Sequence, residues 1–125
     1  MGSDPMSAWK YPPRRAKYGN KKVIFDGETF DSKKEAQRFA QLKVLERAGA
    51  IGCLERQKKY VLIPKQTGSD GKIAEREVAY IADFVYFDRS KCKTVIEDTK
   101  GSRTPEYIIK RKLMRYILGY EIVEI

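Results

Sequence analysis

Acidic residues set inside apolar runs constrain this chain most. Tyr80-Ile-Ala-Asp-Phe-Val-Tyr86 and Thr94-Val-Ile-Glu-Asp98 carry Asp83 and Asp98, and the second run leads into Thr99-Lys100. Strands apolar on both faces belong at the centre of a sheet covered on each side. A carboxylate there must be paired, hydrogen-bonded or neutralised, because its desolvation is costly. Residues two apart on a strand share a face, so Asp98 and Lys100 point the same way. If the two runs pair as neighbouring strands, Asp83 joins them. Two carboxylates and an amine then converge, and a divalent cation holding a phosphate is the simplest compensation.

The rest of the chain supplies a frame for these strands. Val23-Ile-Phe25, Asp26-Gly27 and Glu28-Thr-Phe30 read as a hairpin, since Asp-Gly favours the type I′ turn. Ser32 and Glu35 have the spacing of a capping box. Ala36, Phe39, Ala40, Leu42, Leu45 and Ala48 then predict a helix over about 33–48, with Gly49 as its C′ residue. Beyond Ile51 a strand runs through Tyr60-Val-Leu-Ile63 to Pro64, and Gln66–Gly71 reads as a turn-rich loop. Strands are expected over about 74–87 and 93–100. Thr104-Pro105 is a good N-cap and N1 pair for a helix carrying Tyr107, Ile108, Leu113, Met114, Ile117 and Leu118. Gly119 ends that helix, and Tyr120–Ile125 closes the chain as a strand. The expected class is α/β or α+β: a central mixed β-sheet flanked by two helices, in the order hairpin-α-β-β-β-α-β.

The 125 residues suffice for one domain with its own core. The expected organisation is a single domain over 23–125, preceded over 1–22 by an expression scar (Met-Gly-Ser-Asp-Pro before Met6) and a flexible basic arm. No stretch approaches the length of a membrane span, and no secretory signal is present, so a cytoplasmic protein is expected. Cys53 and Cys92 form no CxxC pair. Two free thiols are expected, with one disulfide as the alternative.

Lys and Arg number 26 against 17 Asp and Glu, a net charge of +9. Such a surplus points to a polyanion, first of all nucleic acid, rather than to a membrane. There is no histidine. Imidazole bases, His-ligated zinc and phosphohistidine intermediates are therefore excluded. Hydrolytic chemistry would have to use carboxylates, Lys, Tyr or a metal held by oxygen ligands.

Phosphodiester hydrolysis of that kind needs carboxylates for Mg²⁺ or Mn²⁺ and positive charge where the transition state becomes negative. Asp83 and Asp98 are the natural ligands, with the Thr99 carbonyl as a further one. Lys100 is placed to orient the attacking water or stabilise the phosphate. Glu35 has two readings, a helix cap and an additional acid of the site. Glu97 adjoins Asp98 and would exchange roles with it on a one-residue register change, but only Asp98 shares the face of Lys100. Gln57 is a further candidate projecting toward the site. Arg103, Lys110, Arg111, Lys112 and Arg115, with Lys21 and Lys22 near the arm, are candidates for phosphate contact.

Asp83 followed by Asp98-Thr99-Lys100 resembles the signature of the PD-(D/E)XK nuclease superfamily. The helix–three strands–helix–strand order is similar to its restriction-endonuclease-like core. Glu35 within Ser-Lys-Lys-Glu-Ala-Gln resembles its acid on the first helix, and Tyr107-Ile-Ile-Lys-Arg-Lys-Leu-Met resembles its basic helix. From Tyr18 onward the chain resembles a small phage-encoded family of endonucleases or Holliday-junction-resolvase-like proteins. Ala82 stands where the motif name has proline. The resemblance implies Mg²⁺-dependent DNA cleavage leaving a 5′-phosphate, with Asp83, Asp98 and Lys100 catalytic. Duplex or branched DNA is the expected substrate, recognised by backbone or shape, and a homodimer would supply two sites for two strands. The rivals are a non-catalytic nucleic-acid-binding module with the same fold and a basic structural protein of a phage particle or ribonucleoprotein.

Overall fold

The two Asp-Gly pairs of the chain each reverse it. In the computed structural model, which describes residues 21–99 and 103–125, Asp26 and Gly27 have φ of 54° and 76°. Positive φ at both positions is what a type I′ turn requires. The turn pairs β1 (Val23–Phe25) with β2 (Glu28–Phe30). The Ser32 hydroxyl then accepts a 3.1 Å hydrogen bond from the Glu35 amide and starts α1 (Lys33–Arg47). Gly49, at φ 81°, follows its end. Ala36, Phe39 and Leu42 are buried as the spacing implies, whereas Leu45 on the last turn and Ala48 just beyond the helix are exposed. The arm expected ahead of residue 21 and the candidate Lys100 lie outside the described residues.

Contacts divide the chain within α1 into two units, Met1–Gln41 and Leu42–Ile125. In the first, the rings of Phe30 and Phe39 centre 5.2 Å apart, and Phe25 meets Phe39 edge-on at 6.4 Å. Aromatic pairs at these distances contribute beyond their buried area.

The second unit begins with β3 (Ile51–Ile63). The segment expected to be a loop is instead a small ribbon, β4 (Gln66–Thr67) paired with β5 (Ile73–Glu75). Gly71, at φ 80°, turns it, and the Asp70 carboxylate accepts from the Lys72 amide. The strand expected over 74–87 is therefore two: β5, which folds back on β4, and β6 (Val78–Asp88), which joins the main sheet. β7 (Lys93–Asp98) stops before Thr99. Then come α2 (Pro105–Leu113), a π-helical turn over Met114–Leu118, and β8 (Ile122–Glu124).

The main sheet has the order β3-β6-β7-β8. β3-β6 and β6-β7 are antiparallel and β7-β8 is parallel. A parallel neighbour needs a crossover, which α2 provides. The two acid-bearing apolar runs are thus the interior strands, and Ala82–Tyr86 is buried at every position. Tyr80, Ala82, Val85, Ile96 and Ile122 form one core cluster with Met114. Leu113 and Tyr107 of α2 pack against it. The fold is mixed α+β, a central mixed sheet with two helices.

The π turn explains one further departure. Its wider winding rotates Ile117 and Leu118 off the buried stripe, so both are exposed where helical spacing places them inward. Thr104 caps α2 as expected, its hydroxyl accepting from the Tyr107 amide at 3.1 Å. Thr104→Ala should cost about 1 kcal/mol in a denaturant melt, with the slope of the transition unchanged. Both cysteines are free and exposed. Among the described residues no helix is long and apolar enough to cross a membrane.

Candidate active site

One register row crosses the sheet. β6 and β7 pair Val85 with Ile96 and Phe84 with Glu97, so the next step sets Asp83 opposite Asp98. On one side Arg56 faces Phe84 and Lys58 faces Ala82, which sets Gln57 beside Asp83. On the other side Asp98 stands beside Glu124. The row reads Gln57, Asp83, Asp98, Glu124. Asp83 and Asp98 are 2% and 1% exposed, too deep to be ordinary surface acids.

Hydroxyl and amide donors hold these carboxylates. Thr99 gives Asp83 Oδ2 two hydrogen bonds, from its amide at 2.8 Å and its hydroxyl at 2.9 Å. The Gln57 side-chain amide reaches Asp83 Oδ1 at 3.5 Å, a long contact. Gln57 has φ 53°, a conformation that costs a non-glycine residue about 1–2 kcal/mol. Strain of this sort gathers at functional sites. Tyr80 donates to Asp98 Oδ2 at 2.6 Å. Burial pushes the Tyr80 phenol up, and Asp98 and Asp83 both add to that rise. One buried phenol therefore senses both acids, and its proton stays on oxygen across the physiological range.

Alternation turns Glu97 to the other face of β7 from Asp98. There it accepts a hydrogen bond from the buried Tyr86 hydroxyl. Glu35 is buried on the first turn of α1, within the first unit. Lys21 and Lys22 are exposed just ahead of β1.

The candidate phosphate contacts are mostly engaged with acids. Lys110 pairs with Glu106 at 3.2 Å, and Arg115 with Glu121 at 3.3 Å. Arg103 and Arg111 both hold Glu124, at 2.7 and 2.9 Å. Lys112 is exposed and has no ion pair among the described residues.

Glu124 also receives the Tyr107 hydroxyl at 2.7 Å. The Tyr107 and Arg111 hydrogen bonds favour the charged form and hold the Glu124 carboxyl below the usual glutamate value. A folded-state value below the unfolded one adds stability that is present above the unfolded pKa and lost as pH falls through the folded one. The melting-temperature advantage of wild type over Glu124→Gln should therefore shrink between about pH 6 and about pH 3. Thermal melts across that range check it.

A family model described as "Protein of unknown function (DUF1064)" matches residues 15–124. The chain belongs to the DUF1064 family. The comparisons with curated proteins and with solved structures find no match. In this DUF1064 chain the match spans the whole Gln57–Asp83–Asp98–Glu124 row and both helices.

Does the DUF1064 site fit a divalent cation? Among the described residues no three acids stand close enough together to cage a metal. Mg²⁺ asks for less, since it keeps several waters and is commonly held by one or two carboxylates plus phosphate oxygens. Asp83 and Asp98, hard oxygen donors at neighbouring register positions, fit that requirement.

Sequence reasoning assigned none of the tyrosines to the site of this DUF1064 member. Three of them donate to acids: Tyr80 to Asp98, Tyr86 to Glu97 and Tyr107 to Glu124. No local signal pairs these tyrosines with their acids, since each bond joins residues on different strands or elements.

Proposed function

We propose that this protein is a metal-dependent endodeoxyribonuclease with a PD-(D/E)XK-type centre, acting on duplex or branched DNA. The observation that carries the proposal is the pair of buried carboxylates, Asp83 and Asp98, on the two interior strands, one step beyond the Phe84–Glu97 pair, with Thr99 next to Asp98 bonding Asp83. The net charge of +9 supports a polyanionic substrate.

Asp83 and Asp98 would hold Mg²⁺ or Mn²⁺, with the Thr99 carbonyl as a further ligand. The bound cation would lower the pKa of a water and stabilise charge on the phosphate. Thr99 and Tyr80 fix the two carboxylates so that their oxygens are oriented before substrate arrives. Lys100 would place positive charge at the scissile phosphate. Lys112, Lys110 and Arg115 would track the backbone, with Lys21 and Lys22 as additional contacts. Gln57 completes the set of polar residues beside the two carboxylates, and a homodimer would cut both strands of a junction.

A panel of labelled single-stranded, duplex, flap and four-way-junction DNAs tests the proposal, each incubated with Mg²⁺, Mn²⁺ or chelator. Cleavage that requires the metal and ends in 5′-phosphate supports it. Binding without cleavage of any substrate, together with no heat of Mn²⁺ binding, rejects it in favour of a non-catalytic binding module.

A further inference from the structure

We infer that Arg103, Arg111 and the Tyr107 hydroxyl form a cradle for a backbone phosphate of nucleic acid, filled in the free protein by the chain's own Glu124 carboxylate. The inference rests on the nuclease proposal only for the choice of DNA as ligand. Three donors from separate side chains converge on one carboxylate. Tyr107 Oη and Arg111 Nη1 meet Oε2 at 2.7 and 2.9 Å, and Arg103 Nη2 meets Oε1 at 2.7 Å. Two guanidinium groups on a single carboxylate leave one positive charge in excess. Charge-assisted donors of this geometry serve carboxylate and phosphate alike.

The cluster is open to exchange. The Arg103 side chain is 60% exposed and Arg111 34%, and partly exposed ion pairs are weakly held. A groove of about 360 Å³ runs from Arg111 and Glu124 past Lys112 to Arg115. Arg115 is in turn held by Glu121, just ahead of β8, so two carboxylates of the C-terminal segment cover arginines of the helical wall. Glu124 is also the register neighbour of Asp98. A phosphate in its place would lie one strand away from the candidate metal ligand. The released carboxylate would face an incoming polyanion, so it must swing aside for the backbone to settle.

The test is DNA binding by the full chain in chelator, read by the anisotropy of a labelled duplex across a salt series. Glu124→Gln keeps the shape and removes the competing charge. It is expected to bind about three- to tenfold more tightly at low salt, with a log–log salt slope steeper by about one to two. Arg103→Ala, at the most exposed member, is expected to weaken wild-type binding and to weaken the Glu124→Gln protein further. Equal or weaker binding by a folded Glu124→Gln overturns the cradle. Should that variant fail to fold, unchanged affinity and slope in Arg103→Ala overturn it instead. Because no metal is present, absence of cleavage leaves this result untouched. Conversely, a Glu124→Gln protein that cuts DNA with unaltered affinity would refute the cradle while sparing the nuclease proposal.

Discussion

Asp98→Ala is expected to lower metal-dependent DNA cleavage by at least about a hundredfold, with binding in chelator equal or tighter. The carboxylate would be a direct metal ligand, so its loss removes both charge and a coordinating oxygen. Alanine also strips Tyr80 of its acceptor, and an unsatisfied buried hydroxyl costs about 1–3 kcal/mol. Asp98→Asn separates these effects. The amide oxygen still accepts from Tyr80, so the fold keeps its buried hydrogen bond while the negative charge is gone. Both variants should be inert in plasmid nicking, and Mn²⁺ calorimetry should show weakened binding in both. Tyr80→Phe is the complementary control, since it leaves the charge and removes only what holds it. Nicking equal to wild type in matched preparations of Asp98→Ala and Asp98→Asn would exclude Asp98 from the chemistry.

How much of this was legible beforehand depends on the range of the interaction. Local signals were the clearest. Asp26-Gly27, Ser32 with Glu35, Gly49 and Thr104-Pro105 each specify a turn or helix end through one or two residues, and each forms as its chemistry dictates. The interior position of β6 and β7 was also readable, because only a doubly covered strand tolerates apolar residues at consecutive positions. Asp70-Gly71 repeats the Asp-Gly pair, but only Gly71 takes positive φ there, and the pair sits among Ser, Gly and Lys, so the apolar alternation that would mark the ribbon is missing. The π turn was not readable, since Met114–Leu118 keeps ordinary helical spacing. The polar partners of the acids depended on strand register. Gln57 beside Asp83 and Glu124 beside Asp98 follow once the ladders are fixed, and nothing local to Gln57 or Glu124 announces them.

Phe84→Ala is expected to destabilise the protein by about 3–5 kcal/mol, the largest stability effect of any single substitution considered. Phe84 is fully buried in the central strand, between Arg56 on β3 and Glu97 on β7, and directly follows Asp83. Truncation to alanine removes the apolar contact and leaves a cavity that two flanking strands cannot close without breaking their ladders. A domain of this size has about 5–15 kcal/mol in total, so the loss takes a large share of it. The melting temperature should fall by roughly 10–20 °C. Tyr116→Ala is the matched control: it also deletes an aromatic ring, but one that is 87% exposed, and should stay within about 0.5 kcal/mol of wild type. Phe84→Leu should recover most of the loss, because it refills much of the volume. If Phe84→Ala and Tyr116→Ala melt together, Phe84 does not lie in the core, and the burial that gives Asp83 and Asp98 their significance goes with it.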